Sequence, residues 1–170
     1  MSTVAIVGAG YVGVPLAHVF AGAGQKVLLV DVQADRVEQL NRGESYIEDV
    51  PSEELKRHID AGLLTATTDY DELKGADAIL VALPTPLSDQ REPDLTILLE
   101  ATKEIAPRLQ EGQLVVLEST TYPGTTRERI APLLEASGLV AGEGFHLAFS
   151  PATRPLASSS GAIRSRVVPG

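Results

Sequence analysis

Apolar runs of four or five residues alternate along the chain with longer stretches whose apolar positions recur every three or four residues. The first run, VAIV at 4–7, is closed by Gly8, and residues 11–23 then carry apolar side chains at helical spacing up to Gly24. This predicts strand, tight turn, helix. Residues 26–30 predict a second strand, followed by a helix over about 33–41 with Val37 and Leu40 facing inward. Ser52, with Glu53 and Glu54 behind it, predicts a hydroxyl-capped helix that Gly62 ends. Residues 65–68 form a weak strand and 78–82 (AILVA) a strong one, after which LPTPLSDQREPD is a loop kept extended by its first prolines. Asp94 is expected to cap a helix to about Leu109; 114–117 predicts a strand, 126–137 a helix and 145–149 a last strand.

None of these runs shows period-two alternation, as expected when helices cover both faces of a parallel sheet. The expected fold is therefore a single doubly wound α/β domain with a mostly parallel sheet over residues 1–150. Residues 151–170, rich in Ser, Ala, Pro and Arg, lack any periodic pattern and are expected to form an irregular tail.

Composition narrows the classes of function. A chain of 170 residues with 44% hydrophobic content can bury the core of one ordinary domain. Its net charge of −9 disfavours nucleic acid and anionic membranes, which require a basic surface. The chain has no cysteine, so disulfides, thiolate metal sites and a thiol nucleophile are excluded within it. No apolar run approaches the roughly 18 residues of a membrane span, and the N-terminus enters a strand without a basic leader, so a cytoplasmic protein is expected.

Candidate chemistry begins at VAIVGAGYVGVPLA, where Gly8, Gly10 and Gly13 have G-x-G-x-x-G spacing between a predicted strand and a predicted helix. Gly8 would permit the tight turn, Gly10 the approach of a pyrophosphate, and Gly13 close packing of the helix on the sheet. Asp31 ends the second strand, where a carboxylate accepts ribose hydroxyls and repels a 2′-phosphate, so the cofactor expected is NAD in preference to NADP. Arg36, one helical turn on, is a candidate to pack against the adenine or its ribose, or else a solvated helix residue. His18, His58 and His146 lack ligand spacing and are expected to be surface or packing residues, and no metal site is expected. Glu118 after a strand has two readings, general base or structural carboxylate, and the acidic cluster Glu48, Asp49, Glu53 and Glu54 reads as a solvated face.

Together, GAGYVGVPLA, VDVQADRVEQLNRGES, VALPTPL, LESTTYPGTT and LAFSP resemble the UDP-glucose/GDP-mannose dehydrogenase family, in the family's order from Val4 to Pro151. The ESTTYPGTT form looks most like the branch acting on UDP-N-acetylhexosamines. The resemblance implies an N-terminal NAD-binding domain of Rossmann type, followed in family members by a dimer-forming helix and a domain for the nucleotide sugar. It implies oxidation of the C6 alcohol of a UDP-sugar to the carboxylate with two NAD, through a thiohemiacetal and a thioester on a cysteine of the second domain, in a homodimer. By motif, Gly8, Tyr11, Val12 and Gly13 would line the pyrophosphate, Asp31 and Arg36 would hold the adenosine, and Pro84 and Thr85 would border the nicotinamide half. Thr120 would sit beside the nicotinamide and help position a catalytic water. The match stops where the family continues with Glu and Arg after FSP and this chain has Ala152, Thr153 and Arg154, an abrupt change of the kind a reading-frame shift produces. With the dimer helix and sugar domain absent, this chain alone is expected to be catalytically incomplete; the alternative is a stand-alone NAD-binding module or relic without turnover.

Overall fold

The computed structural model describes residues 2–86, 93–118 and 124–150. Six strands form one sheet: β1 (Thr3–Val7), β2 (Lys26–Val30), β3 (Leu64–Thr67), β4 (Ala78–Val81), β5 (Leu114–Leu117) and β6 (His146–Phe149). Their spatial order is β3-β2-β1-β4-β5-β6 and every neighbouring pair is parallel. The helices between them are α1 (Gly13–Gly22), α2 (Ala34–Asn41), α3 (Ser52–Asp60), α4 (Thr96–Ile105) and α5 (Ala131–Glu135).

Two hydrophobic clusters explain the continuous apolar runs. Val4, Ile6, Val27 and Leu29 point to one face, where Val14, Ala17, Val37, Leu40 and Leu55 from α1, α2 and α3 cover them. Ala5, Val7, Leu28, Val30, Ile79 and Val81 point to the other face, against Leu98 and Ile105 of α4 and Leu134 of α5. Alternate strand residues therefore face opposite ways, as pleating requires, yet both sets are buried. The doubly wound α/β architecture is as expected, and all of its described strand pairs are parallel.

Local differences have local causes. α1 begins at Gly13, because Tyr11 and Val12 belong to the turn. Ser52 does not cap α3: its Oγ accepts from the Ser45 N–H at 2.9 Å, Pro51 takes the N-cap position, and the acidic first turn of Glu53 and Glu54 remains. Asp94 stands one residue before the N-cap position of α4, which is Leu95, and its Oδ1 accepts from the Thr96 N–H at 2.9 Å. The helix ends at Ile105 and continues as a 3-10 turn around Pro107. The helix expected over 126–137 is divided into a π-helical turn, Thr126–Ile130, and α5, with Pro132 at the division. A 3-10 turn, Tyr70–Gly75, capped by Asp69, precedes β4. The expected irregular tail at 151–170 lies outside the described residues.

The chain moves outward from β1 through β2 to β3, then returns to place β4 on the other side of β1. At such a reversal the connections leave the strand ends in opposite directions and open a crevice at the carboxyl edge. That crevice lies at the ends of β1 and β4, where Val7 pairs with Val81.

Candidate functional site

β1 enters the crevice through Gly8, whose φ of 106° lies in the left-handed region. A Cβ there would also stand 2.6 Å from the Ala82 carbonyl oxygen, so the position is restricted twice. The Gly8 N–H donates to the Val30 carbonyl at 2.8 Å, tying the turn to the end of β2. A Cβ on Gly13 would lie 1.8 Å from the Gly8 carbonyl oxygen and 3.4 Å from Ile6 Cγ2. Its smallness thus lets the turn fold back onto the helix start, which is closer than the sheet itself. Gly10 is different: a Cβ there would meet no atom within 4 Å, because the position opens into the crevice.

Among the described residues, the backbone N–H groups of Gly10, Tyr11, Val12 and Gly13 have no acceptor. Tyr11 and Val12 are exposed. Four consecutive free amides at the start of a ten-residue helix, beside a glycine with nothing over it, fit the pyrophosphate of a dinucleotide in donor chemistry and in space.

Asp31 follows β2 and is 8% exposed. Its Oδ2 accepts from the Ala9 N–H at 2.7 Å and its Oδ1 from the Gln33 N–H at 2.9 Å. Each carboxylate oxygen keeps a lone pair for a further donor. Arg36 on α2 is half-buried, its guanidinium carbon 5.7 Å from the centroid of the Tyr46 ring. Tyr46 donates its hydroxyl to the Ala9 carbonyl at 2.6 Å. Both polar groups of Ala9 are therefore held by side chains from outside the turn.

Across the crevice, the chain after β4 carries Pro84, which is exposed, and Thr85, which is half-buried. The Asp94 N–H donates to the Pro86 carbonyl at 2.7 Å and anchors the two described ends of that connection. Glu118 follows β5; burial pushes its carboxyl above the usual carboxylate range, and a hydrogen bond with Ser150 opposes the shift. Thr120 lies outside the described residues. The structure thus brings Gly8, Gly10, Tyr11, Val12, Gly13, Asp31, Pro84 and Thr85 to one edge of the sheet, with Arg36 one helical turn behind Asp31.

Two features escape the sequence reading. Tyr46 has no periodic or motif signal, since it lies in the connection between α2 and α3. His18 and His58, which lack ligand spacing, nevertheless meet: His18 Nδ1 lies 3.1 Å from His58 Nε2, and His18 Nε2 lies 3.2 Å from Glu54 Oε2. They join α1 to α3 away from the glycine turn.

The sequence model of the UDP-glucose/GDP-mannose dehydrogenase family, NAD binding domain, matches residues 2–155. The chain is 39% identical over 149 residues to a UDP-N-acetyl-D-glucosamine 6-dehydrogenase from Pseudomonas aeruginosa, covering 87% of this chain and 34% of that one. A UDP-N-acetyl-D-mannosamine dehydrogenase from Yersinia pestis is 41% identical over 135 residues, covering 79% of this chain and 31% of that protein. Among solved structures, a UDP-D-ManNAc dehydrogenase from Pyrococcus horikoshii superposes with a TM-score of 0.83 at 35% identity, over 91% of this chain and 37% of that one. The ternary complex of the GDP-mannose dehydrogenase from Pseudomonas aeruginosa gives 0.82 at 30% identity, over 87% and 35%. This chain spans about a third of the length of the curated relatives it matches. Fold, glycine turn and matched span agree: the chain belongs to the UDP-glucose/GDP-mannose dehydrogenase family and carries its NAD-binding domain.

Proposed function

We propose that this chain is the cofactor half of an NAD-dependent nucleotide-sugar 6-dehydrogenase that oxidises the C6 alcohol of a UDP-N-acetylhexosamine to the carboxylate. The observation carrying this reading is the open position at Gly10 with its four free amides, set beside the Asp31 carboxylate within a family match of 2–155. When bound, NAD supplies the hydride acceptor. Gly8, Gly10, Tyr11, Val12 and Gly13 form the pyrophosphate cradle, Gly8 and Gly13 by shaping it and the amides of 10–13 by donating. Asp31 accepts from the adenosine ribose and disfavours a 2′-phosphate by charge, while Arg36 lies along the adenine side. Pro84 and Thr85 border the ribose and nicotinamide half, and by the family motif Thr120 would sit beside the nicotinamide and help position a catalytic water. The UDP-N-acetylhexosamine assignment is supported by the named activities of the relatives from Pseudomonas aeruginosa and Yersinia pestis.

The thioester step of the reaction needs a cysteine, which this sequence lacks, so turnover by the present polypeptide is not expected. Ala152, where the family pattern has glutamate, supports a second reading in which the chain binds NAD without catalysing. We place the protein in the cytoplasm; the homodimer of the family would form through the dimer helix that follows this domain in family members. Its net charge of −9 argues against nucleic acid or membrane partners, and among the described residues no helix is long and apolar enough to cross a membrane. Titration calorimetry with NAD and NADP tests the proposal: saturable binding of NAD with weaker binding of NADP supports it, and a folded chain that binds neither overturns it.

A further inference from the structure

Tyr46 lies in the connection between α2 and α3, yet its hydroxyl reaches the glycine turn and donates to the Ala9 carbonyl at 2.6 Å. Burial pushes the phenol up to about 12, so the hydroxyl keeps its proton throughout the neutral range. Ala9 itself has no exposed surface, and its N–H is already committed to Asp31 Oδ2 at 2.7 Å. With the phenol in place, the Ala9 carbonyl is shut off from solvent and its bond to Tyr46 is a direct one.

The orientation of one peptide unit makes this contact consequential. In a trans peptide the C=O of one residue and the N–H of the next point in opposite directions, and the described chain has no cis bond. Fixing the Ala9 carbonyl toward Tyr46 therefore fixes the Gly10 N–H away from it. That N–H is the first of the four without an acceptor, at the glycine that opens into the crevice. The ring of Tyr46 meanwhile carries the Arg36 guanidinium at 5.7 Å.

We infer that Tyr46 is a positioning residue for the cofactor: by anchoring the Ala9 carbonyl it aims the Gly10 N–H at the pyrophosphate, and its ring seats Arg36 beside the adenosine. The inference rests on reading Gly10–Gly13 as the pyrophosphate cradle. It assigns separate work to two parts of one side chain. The hydroxyl acts on the pyrophosphate through Ala9, and the ring acts on the adenosine through Arg36. A side chain that merely filled space would be replaced by phenylalanine without loss of binding.

The test compares wild type, Tyr46→Phe and Tyr46→Leu in the 170-residue chain. NAD, ADP and adenosine affinities are measured by titration, together with hydrogen exchange of the Ala9 amide. In Tyr46→Phe, NAD and ADP affinities fall about tenfold while adenosine stays within about twofold, since the ring remains. The Ala9 amide exchanges about tenfold faster relative to that of Ile6 in the sheet. In Tyr46→Leu, adenosine binding weakens as well. Unchanged NAD affinity in the folded Phe variant overturns the inference, as does an equal loss for adenosine and NAD. If wild type binds no NAD, the proposed function fails separately, and unchanged Ala9 exchange in Tyr46→Phe then overturns the anchoring role too.

Discussion

Replacing Asp31 by asparagine changes neither the size nor the shape of the side chain, so its effect isolates what the carboxylate does. Both oxygens accept from backbone donors, Ala9 N–H at 2.7 Å and Gln33 N–H at 2.9 Å, and the residue is nearly buried. An amide has one acceptor oxygen, so in either rotamer one of these donors faces an NH2 group. The lost bond to a charged acceptor is worth ~1.5–3 kcal/mol, and the surviving bond falls from charge-assisted to neutral strength for a further ~0.5–1 kcal/mol. The total is ~2–4 kcal/mol. For a domain of this size each kcal/mol moves the thermal midpoint by ~2–4 °C, so a drop of ~4–16 °C is expected. The same change removes half of the lone pairs that the ribose hydroxyls require, which weakens NAD by ~10- to 100-fold. NADP should lose less, because the charge opposing its 2′-phosphate is gone, and the preference for NAD narrows. Thermal melts followed by circular dichroism and titrations with both dinucleotides supply the readouts. A midpoint within ~1 °C of wild type, with NAD affinity intact, would refute the reading of Asp31 as both clamp and ribose acceptor.

The other predictions exploit contrasts within the site and outside it. Gly13→Ala places a Cβ 1.8 Å from the Gly8 carbonyl oxygen, a backbone obstacle, so it should cost ~3 kcal/mol or more in urea unfolding and abolish NAD binding. Gly10→Ala meets no atom within 4 Å, so the thermal midpoint should stay within ~2 °C while calorimetry shows NAD weakened at least ~10-fold. His58 is held below the ordinary histidine range, first by burial and then by the neighbouring His18 and Arg57, with Glu54 opposing. Its neutral form is therefore favoured in the folded state: the unfolded chain takes up the proton first, and stability present above about pH 6.5 is lost as the pH falls toward the lowered folded value. Urea unfolding between pH 7.5 and 5.5, conditions set on the scale of that titration, should show a decline that His58→Gln reduces.

Most of the fold was legible because the central strands β1, β2 and β4 are covered on both faces, which turns a half-buried pattern into an unbroken apolar word such as VAIV or AILVA. β3, at the sheet edge with the pattern Leu64 buried, Thr65 exposed, Ala66 buried, gave the weakest signal for the same reason in reverse. Helix ends were less readable where proline intervened, since Pro107 and Pro132 alter the hydrogen-bond ladder without disturbing the apolar period. Ser52 has the chemistry of a cap but gives its hydroxyl oxygen to Ser45, a contact set by how the preceding connection folds. In the site, the glycines and Asp31 were legible because their roles depend on short-range backbone geometry. Tyr46 meets a residue 37 positions away and His58 one 40 positions away, in contacts created only by packing. No period or spacing encodes them.

The crevice is walled by β1 and β4, neighbours in the sheet whose paired residues Val7 and Val81 lie far apart in the chain. Closing that pair encloses the whole excursion through β2 and β3 in one long loop, which makes formation of the pocket a non-local event in folding. Before the seam closes, the glycine turn faces no opposite wall, and a nucleotide finds at most fragments of its contacts. Bound NAD is therefore linked to the globally folded species. Its stabilising effect should follow the full mass-action dependence on ligand concentration, appearing as protection across both halves of the sheet instead of at the turn alone.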